Sequence, residues 1–508
     1  AWIKDPTFAD VRHQMAQIRY KLREHDTKHV LEEVLEIDPD RADATMMMGD
    51  WYSDFAEEHE NAIVWYAKCL SMQPDDPEVV RRLGVAYLEL KEYDRIVDTL
   101  LGFAQQHPEA IGLFPIVAQA CVKRDKPELA LEMFDRYLSE IDAEERELYE
   151  DVELISSRDE YREYRSLSRE EMQTFLVSFW NGRDPDLSTP VNERLLEHYR
   201  RVWYSRTHFA RGKKPWDRRG EVYIRFGEPD HKTSSRMTNA EQSLDVQRVK
   251  ELMALELYGA EAAGKTFIGT VYPVRSKTFA GQMDVDRSYD ATDVDFREKE
   301  EASLVLGFGE AAEEADGDSV DTGEGESEYW YKLTEFQPVT TSRGDLSNVP
   351  WESWVYTRIG GGIEITFTDE TLKGIFDYAP MPLAPDMELE QLRRFARYAP
   401  GTVHRRAAAA VPDHYIPEYE AQPYEFYFDI ADFRGSEGSR ALEVYYGMPN
   451  ASARYRPEED RTELVVSRQA ALVASDADTV FRTAGHLVYR TSGDRRTRGA
   501  FVPDVARL

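Results

Sequence analysis

Cysteine is scarce in this chain. Its 508 residues include only Cys69 and Cys121, so no framework of disulfides holds it together. Both thiols fall at interior positions of helical segments, and we expect them to be buried and unbonded. Long apolar runs are lacking as well. No stretch approaches the roughly 18 consecutive apolar residues of a membrane-spanning helix, so the sequence predicts no membrane span.

Positive charge is also in short supply. The chain carries 63 Lys and Arg against 96 Asp and Glu, a formal net charge of −33. A negative field of this size repels nucleic acid and anionic lipid headgroups, so we expect no nucleic-acid partner. Hydrophobic residues still make up 42% of the chain, enough for buried cores, and the length favours two to four domains.

Residues 1–150 show a helical repeat. Pro39, Pro74 and Pro108 recur at intervals of about 34 residues, and each closes a pair of amphipathic helices. Within the pairs, small residues let the helices approach closely, and a larger side chain follows three positions later; the small residues are Gly49, Gly84 and Ala118. This pattern resembles the tetratricopeptide-repeat (TPR) family. The resemblance implies an α-solenoid whose concave face binds peptides or partner domains.

Residues 165–380 carry a second signature, made of separate short segments. They are Phe179-Trp180, Arg183 to Pro185, Thr189-Pro190, Arg219 to Asp230, Trp351 to Tyr356 and Gly362 to Asp369. Together they resemble the GWxTD domain, a bacterial family often joined to TPR units in extracytoplasmic proteins. The name-giving motif differs here, since Pro215 stands in place of its Gly. The family has no assigned reaction, so the resemblance implies an α+β architecture without a mechanism.

The GWxTD-like region contains three predicted elements. Thr189 and Pro190 predict the start of a helix that runs to Phe209. Apolar and polar residues alternate over 221–226, which predicts a half-buried strand, and residues 362–369 predict another. Since each strand buries one face, we expect both in one sheet. That sheet would bring Trp216 and Arg219 close to Glu364 and Asp369.

Seven residues of this region form the candidate site. They are Trp216, Asp217, Arg219, Arg225, Asp230, Glu364 and Asp369. In one interpretation they line a polar cleft where arginines grip a carboxylate of a partner chain. In the other, which we favour, the Trp fills the core while Asp and Arg side chains pair to stabilise a strand and its turn.

An insertion is predicted between the two halves of the region, at about residues 231–350. Residues 298–328 are strongly acidic and predict a solvated loop. Residues 259–266 match a phosphate-binding loop, but a helix over 249–258 and a strand over 267–274 reverse the order that phosphate binding needs. Five aspartates between 284 and 295 lack EF-hand spacing. We therefore predict no cofactor and no metal site.

The last part of the chain predicts antiparallel strands. A linker spans 381–423 and includes a short helix at 386–398. From Tyr424 onwards, period-two alternation predicts strands near 424–428, 441–446, 463–473 and 479–490. These favour a β-sandwich, incomplete at residue 508, because a sandwich usually needs about seven strands. The fold class is therefore multi-domain α+β.

These features favour a non-catalytic scaffold for protein–protein interaction, which holds protein partners on the TPR concave face. The sequence begins at Ala1 rather than Met, so we expect either that a leader has been removed or that this is a fragment. The family resemblance implies an extracytoplasmic location, in the periplasm or at the cell surface, within a homo- or hetero-oligomer. Two alternatives stay open: a hydrolase using acidic residues near Trp216 and Glu364, and a component of a surface polymer whose incomplete sheet accepts a neighbouring strand.

Overall fold

The protein forms two compact units. The first contains Ala1–Val152, Arg158–Arg200 and Tyr415–Leu508, and the second contains Glu153–Ser157 and Arg201–His414. The computed structural model describes residues 6–22, 26–211, 213–236, 241–277, 336–340, 348–382, 389–410, 413, 415, 426–434, 440–449, 456–458, 461–473, 480–491 and 501–507. The predictions for the acidic segment 298–328 and for the five aspartates between 284 and 295 lie outside these residues.

Helices make up most of the described chain up to residue 258, and further helices lie between residues 389 and 410. They are α1 (Pro6–Lys21), α2 (Thr27–Ile37), α3 (Ala42–Trp51), α4 (His59–Met72), α5 (Pro77–Glu89), α6 (Tyr93–Arg95), α7 (Leu101–Gln106), α8 (Phe114–Lys123), α9 (Pro127–Glu140), α10 (Ala143–Glu150), α11 (Arg158–Ser166), α12 (Arg169–Asn181), α13 (Glu193–His208), α14 (Arg218–Phe226), α15 (Leu244–Tyr258), α16 (Leu389–Tyr398) and α17 (Pro400–Ala410). Single π-helical turns follow α3 at Tyr52–Ala56 and α6 at Ile96–Leu100.

Strands occupy the second unit and the C-terminal part of the first. They are β1 (His231–Ser234), β2 (Val274–Arg275), β3 (Phe336–Gln337), β4 (Trp351–Tyr356), β5 (Ile363–Thr368), β6 (Asp377–Tyr378), β7 (Tyr427–Arg434), β8 (Arg440–Pro449), β9 (Arg456–Glu458), β10 (Arg461–Val473), β11 (Val480–Thr491) and β12 (Phe501–Arg507). The chain is thus a mixed α+β protein with a helical N-terminal region and small antiparallel sheets, as the sequence predicts.

Successive helices of the N-terminal region pack closely, as α3 with α4 and α4 with α5. Small residues make the approach possible: a Cβ built on Gly49 would lie 2.5 Å from the Tyr66 ring. A Cβ on Gly84 would lie 2.5 Å from the Leu100 side chain. Both cysteines are buried and free, and residues 43–142 contain helices without strands. The predictions of paired helices and unbonded thiols are confirmed.

Helix α13 begins later than predicted. It starts at Glu193, where the Asn192 side chain accepts a hydrogen bond from the Leu195 amide at 2.8 Å. Thr189 instead donates its hydroxyl to the Glu193 carboxylate at 2.8 Å. The predicted start at Thr189 and Pro190 was wrong because a second capping residue, three positions further on, begins the helix.

The predicted strand over 221–226 was also wrong, since these residues belong to α14. Asp217 caps this helix by accepting a hydrogen bond from the Arg219 amide, and Gly227 follows its end with φ of +83°. Val222 and Phe226 are one helical turn apart and face the sheet, while Ile224 is buried on another side. Because more than one side of α14 is buried, its apolar residues mimic the alternation of a strand.

The second unit is built around a four-stranded antiparallel sheet of order β1-β4-β5-β6. β5 confirms the strand predicted over 362–369. Alternate side chains divide the sheet into two faces. The face we call the α14 face carries Glu352, Trp354, Tyr356, Ile363, Ile365 and Phe367. The opposite face, called the α15 face, carries Ser353, Val355, Glu364 and Thr366.

Each face of this sheet is covered by helices. Val222 and Phe226 of α14 and Val403 of α17 pack with the apolar side chains of the α14 face. Val246 and Val249 of α15 pack against Val355 on the other face. The expectation that residues 221–226 and 362–369 share a sheet is therefore wrong: one segment is a helix lying on the sheet that contains the other.

The insertion is partly ordered around α15. The helix predicted over 249–258 is confirmed and is longer, starting at Leu244. The strand predicted over 267–274 was wrong, because only Val274 pairs as a strand, with Gln337. Residues 267–272 are held by two backbone hydrogen bonds between Gly269–Thr270 and Val339, at 3.1 and 2.8 Å, and by the side chains of Glu364 and Lys250. The predicted helix at 386–398 is present from Leu389, and α17 follows it within the predicted linker.

The C-terminal strands form two three-stranded antiparallel sheets, β12-β8-β7 and β11-β10-β9. The predicted strands are present with shifted ends. Leu464 is buried against Met448, Val466 and Tyr489, yet Phe428 is 64% exposed. Among the residues that the structure describes, no helix combines the length and apolar character needed to cross a bilayer.

Candidate functional site

Arg219 is the centre of a buried ion network on the α14 face. Its guanidinium donates to the Asp217 carboxylate at 2.7 Å and to the Glu352 carboxylate at 2.6 Å. The same group lies over the Phe376 ring, with 3.9 Å between the guanidinium carbon and the ring centroid. Only 4% of Arg219 is exposed. Two buried carboxylates thus neutralise one buried cation, which is the arrangement that makes a buried charge tolerable.

Glu352 completes this network, and sequence reasoning missed it. Its second carboxylate oxygen accepts a hydrogen bond from the Trp354 indole at 3.0 Å and lies 3.3 Å from the Lys232 ammonium. Burial alone would raise the pKa of Glu352, but the charges of Lys232 and Arg219 and the indole hydrogen bond lower it to about 2. The position of Glu352 between Trp351 and Trp354 was the available signal.

Trp216 and Arg225 have packing roles. Trp216 lies against Gly220, where an added Cβ would come within 2.4 Å of the Trp216 Cβ. Arg225 donates hydrogen bonds to two backbone carbonyls, at 2.9 Å to Leu154 and at 2.5 Å to Ala408. Both residues therefore join α14 to neighbouring segments of the second unit.

Asp230 and Asp369 bind backbone amides: Asp230 connects its segment to Thr357, just after β4, and Asp369 stabilises the turn that follows it. Asp230 accepts from the Thr357 amide at 2.6 Å and from its hydroxyl at 2.7 Å. Asp369 accepts from the Gly374 amide at 2.5 Å and from the Thr371 hydroxyl at 3.0 Å. Aspartate is suited to the role of residue 369 because its short carboxylate reaches amides of the following turn.

Glu364 lies on the α15 face and holds a loop. Its carboxylate accepts from the backbone amides of Val271 at 3.0 Å and Tyr272 at 3.4 Å, and from the Ser353 hydroxyl at 2.6 Å. The Lys250 ammonium is 3.8 Å away. The carboxylate is thus surrounded by donors, and its side chain has no exposed surface (0%).

Lys250 binds the backbone carbonyl groups of the same loop. Its ammonium donates to the carbonyls of Phe267 and Ile268, each at 3.3 Å, and to that of Gly269. Burial lowers the pKa of Lys250, and the Glu364 charge opposes that shift. Burial and the Lys250 charge also lower the pKa of His231 to about 4. The buried cation binds the loop's carbonyls while the buried anion binds its amides.

The predicted cleft is divided by the sheet. Asp217 and Asp369 bind backbone amides of the same short segment. Asp369 accepts a hydrogen bond from the Gly374 amide, and Asp217 accepts one from the Phe376 amide two residues later. Arg219 and Glu364, however, lie on opposite faces of the four-stranded sheet. The expectation that both line one site is wrong because adjacent residues of a strand point to opposite sides.

Residues 259–266, which match a phosphate-binding loop in sequence, form hydrogen bonds within their own backbone. Helix α15 precedes it, and Gly259–Ala262 forms a 3₁₀ turn. The amides of Ala263 and Lys265 donate to carbonyls within the loop, each at 3.1 Å. Amides used in this way are not directed at a phosphate. In the described part of the chain, no group of three or more His, Cys, Asp or Glu side chains is placed to hold a metal ion.

An open cavity of about 710 Å³ belongs to the first unit, whereas the candidate residues belong to the second. It is lined by Tyr427, Phe428, Asp429, Tyr445, Tyr446, Gly447 and Val505.

Comparison with known proteins adds no family: no protein-family model matches the chain, and no curated protein matches it. The resemblances to the TPR and GWxTD families rest on the sequence motifs alone.

Proposed function

We propose that this protein is a non-catalytic scaffold for protein–protein interaction. One observation carries the proposal: the charged residues of the candidate site are engaged with each other and with the backbone of their own unit. Arg219 is bound by Asp217 and Glu352, and Glu364 by two amides, Ser353 and Lys250. A hydrolase needs a carboxylate directed at substrate with its pKa adjusted for proton transfer.

The helical N-terminal region supports the same function. We assign it to TPR units stacked as an α-solenoid, whose concave face holds a protein partner. The close approaches at Gly49 and Gly84 agree with that assignment, since TPR helices pair through small residues at these positions. The GWxTD-like unit and the C-terminal sheets, which we assign to a β-sandwich, would add further docking surfaces.

Location and assembly follow from the resemblance to the GWxTD family. Members of that family often carry TPR units in extracytoplasmic proteins, so we place this chain in the periplasm or at the cell surface. It would act there as one subunit of a larger assembly.

A polymer component is a second candidate, favoured by the exposure of β7. This strand lies at the edge of its described sheet, and its apolar side chains face solvent: Phe428 is 64% exposed and Ile430 52%. Edge strands with exposed apolar residues accept strands from other chains. If copies join in this way, Ile430→Lys should shift the chain from assemblies to monomers in sedimentation velocity. A wild type that stays monomeric at every concentration would argue against the polymer.

Affinity capture from the native source, followed by mass spectrometry, tests the scaffold. The intact chain should retain protein partners in near-stoichiometric amounts, and the Glu364→Gln variant should retain the same partners below its unfolding temperature. Turnover of any ester, peptide or glycoside substrate that disappears in folded Glu364→Gln would contradict the proposal.

A further inference from the structure

The helix pair α16–α17 is basic, in contrast to the chain as a whole. Residues 389–410 contain five Arg and no Lys, with a single Glu, whereas the chain carries a net charge of −33. A cluster of cations on an acidic protein reverses the sign of the field locally. We call the five arginines the arginine patch. All of them are exposed: Arg393, Arg394, Arg397, Arg405 and Arg406.

The patch extends over both helices, which pack against each other. Arg393 and Arg397 are one turn apart on α16 and share its outer face. The charges of Arg397 and of Arg406, from α17, both act on Tyr398. Burial and the charge of Glu256 raise the pKa of Tyr398, and these two arginines oppose that rise. Cations of α16 and α17 therefore lie around one tyrosine.

Most of the patch is not used in ion pairs. Arg394 pairs with Glu390 of its own helix at 2.6 Å. In the part of the chain that the structure describes, the other four arginines form no ion pair. Together with the exposed Glu256 of α15, the balance is five Arg against two Glu. A guanidinium is a planar fork of donors that matches a carboxylate with two parallel hydrogen bonds. The patch therefore offers such forks to an anion from outside its unit.

The burial of α16 argues against an anionic membrane as that anion. A basic amphipathic helix binds a bilayer by inserting its apolar face between the lipids. Here that face lies in the core, where Phe395 is 0% exposed and its ring contacts Tyr258 and Tyr272. Helix α17 likewise buries Val403. These apolar side chains are not available for insertion.

The small extent of the patch argues against a nucleic-acid duplex. Helix α16 has 10 residues and is about 15 Å long. At physiological ionic strength, charges more than about 8 Å apart are largely screened. A short anionic segment that contacts only the patch therefore experiences mainly the arginines, despite the net charge of the chain. A duplex or a bilayer extends far beyond the patch and would also face the acidic remainder.

We propose that the arginine patch binds a short acidic segment of a partner protein. This inference rests on the scaffold function and names one class of partner for it. The segment would lie along the outer side of both helices. Its Glu or Asp carboxylates would bind Arg393 and Arg397 on α16 and Arg406 on α17.

Two peptides test the patch: an acetylated peptide of about eight glutamates and its glutamine counterpart, whose side chains are neutral. Titrated into the intact chain, the Glu peptide should bind at least about tenfold more tightly than the Gln peptide. Its binding should weaken between about 100 and about 300 mM salt, because screening increases.

The double variant Arg393→Gln/Arg397→Gln should weaken binding of the Glu peptide about tenfold or more. Its melting temperature should match the wild type because both side chains are exposed. Arg406→Gln provides the same test from the other helix if the double variant does not fold. Arg358→Gln, at an exposed arginine of the same unit just after β4, is the matched control and should bind normally.

Several results would overturn the proposal. Equal binding of the two peptides would remove the role of charge, and normal binding by both patch variants would remove the patch. Self-association of the wild type that the double variant loses would assign the patch to a second copy. If the Glu peptide does not bind, phosphatidylglycerol vesicles or duplex DNA that bind the wild type and not the double variant would assign it to lipid or nucleic acid. Glu-peptide binding that appears only after the acidic residues of 298–328 are neutralised would assign the patch to the chain's own segment.

The scaffold function and the patch can fail separately. Partners that are captured equally by the wild type and the double variant, without binding of the Glu peptide, would leave the scaffold standing and remove the patch. A chain that captures no partner from the native source, yet binds the Glu peptide through these arginines, would contradict the scaffold and retain the patch as an anion-binding surface.

Discussion

Glu352 and Glu364 lie on neighbouring strands of one sheet and point to opposite faces of it. Glu352 joins Arg219 and Asp217 under α14, and Glu364 joins Lys250 under α15. The sheet therefore separates two buried ion systems. One connects a helix to the sheet, and the other connects a loop to the sheet, so both act on the architecture of the second unit.

The stability of the protein should depend on the ionisation of Glu352. Its pKa of about 2 is below the ordinary 4.5, so the unfolded chain takes up a proton at higher pH than the folded chain. The stabilisation is present above pH 4.5 and is lost as the pH falls towards 2. By linkage it amounts to about 3 kcal/mol. Urea unfolding of the wild type and Glu352→Gln should show a difference in the free energy of unfolding, and this gap should narrow as the pH falls from 4.5 towards 2. A gap that does not change with pH would contradict the assignment.

Removing the Lys250 ammonium should loosen the loop at 267–272. Lys250→Met leaves the buried Glu364 without its cation, which typically costs about 3–5 kcal/mol. Hydrogen exchange should quicken at Val271 and Tyr272, whose amides bind that carboxylate. Arg248→Met removes an exposed cation from the same helix. It should change neither the free energy of unfolding nor the exchange rates of the Val271 and Tyr272 amides. Equal exchange in the two variants would show that the loop is held by other contacts.

Residues 259–266 should not bind nucleotide. The loop amides of Ala263 and Lys265 are bonded within the loop, and a helix precedes it where a phosphate site needs a strand. Calorimetric titration with Mg-ATP should give no heat of binding at millimolar concentration. Binding that Lys265→Ala abolishes would reverse this conclusion.

Cys69 and Cys121 should react slowly with thiol reagents in the folded protein. Burial raises the pKa of both thiols, which lowers the thiolate fraction, and neither side chain is open to solvent. Labelling by a chromogenic disulfide should reach two thiols per chain only in denaturant. Rapid labelling of either cysteine under native conditions would place it at the surface.

The paired helices of residues 43–142 could be predicted because their signals are local. Gly49 and Gly84 each allow a close approach by a nearby side chain, that of Tyr66 and that of Leu100. Helix α14 was misread for the opposite reason. Its apolar pattern reflects burial on more than one side, which depends on the sheet and α17.

The site was harder to predict because its partners are distant in sequence. Arg219 and Glu352 are separated by 133 residues, and the tryptophans beside Glu352 indicate that it is buried but do not identify its partner. Lys250 looks like an ordinary helix lysine until the loop carbonyls are placed around it. By contrast, Asp217 and Asp369 stabilise a helix start and a turn close to their own positions, which local patterns do suggest.

The most direct test of the scaffold is the behaviour of Arg219→Ala and Glu364→Gln, measured for thermal unfolding and for activity together. Arg219→Ala leaves two buried carboxylates without their cation and should cost about 3–5 kcal/mol. Lys232→Ala, whose side chain is 45% exposed beside the same Glu352, should cost under about 1 kcal/mol. Glu364→Gln should also lower the melting temperature, since it weakens the bonds to Lys250 and the loop. Both variants should be less stable than the wild type and should retain partner binding below the unfolding temperature. Full stability in both variants, with loss of a measurable turnover, would contradict the scaffold function and make the protein an enzyme.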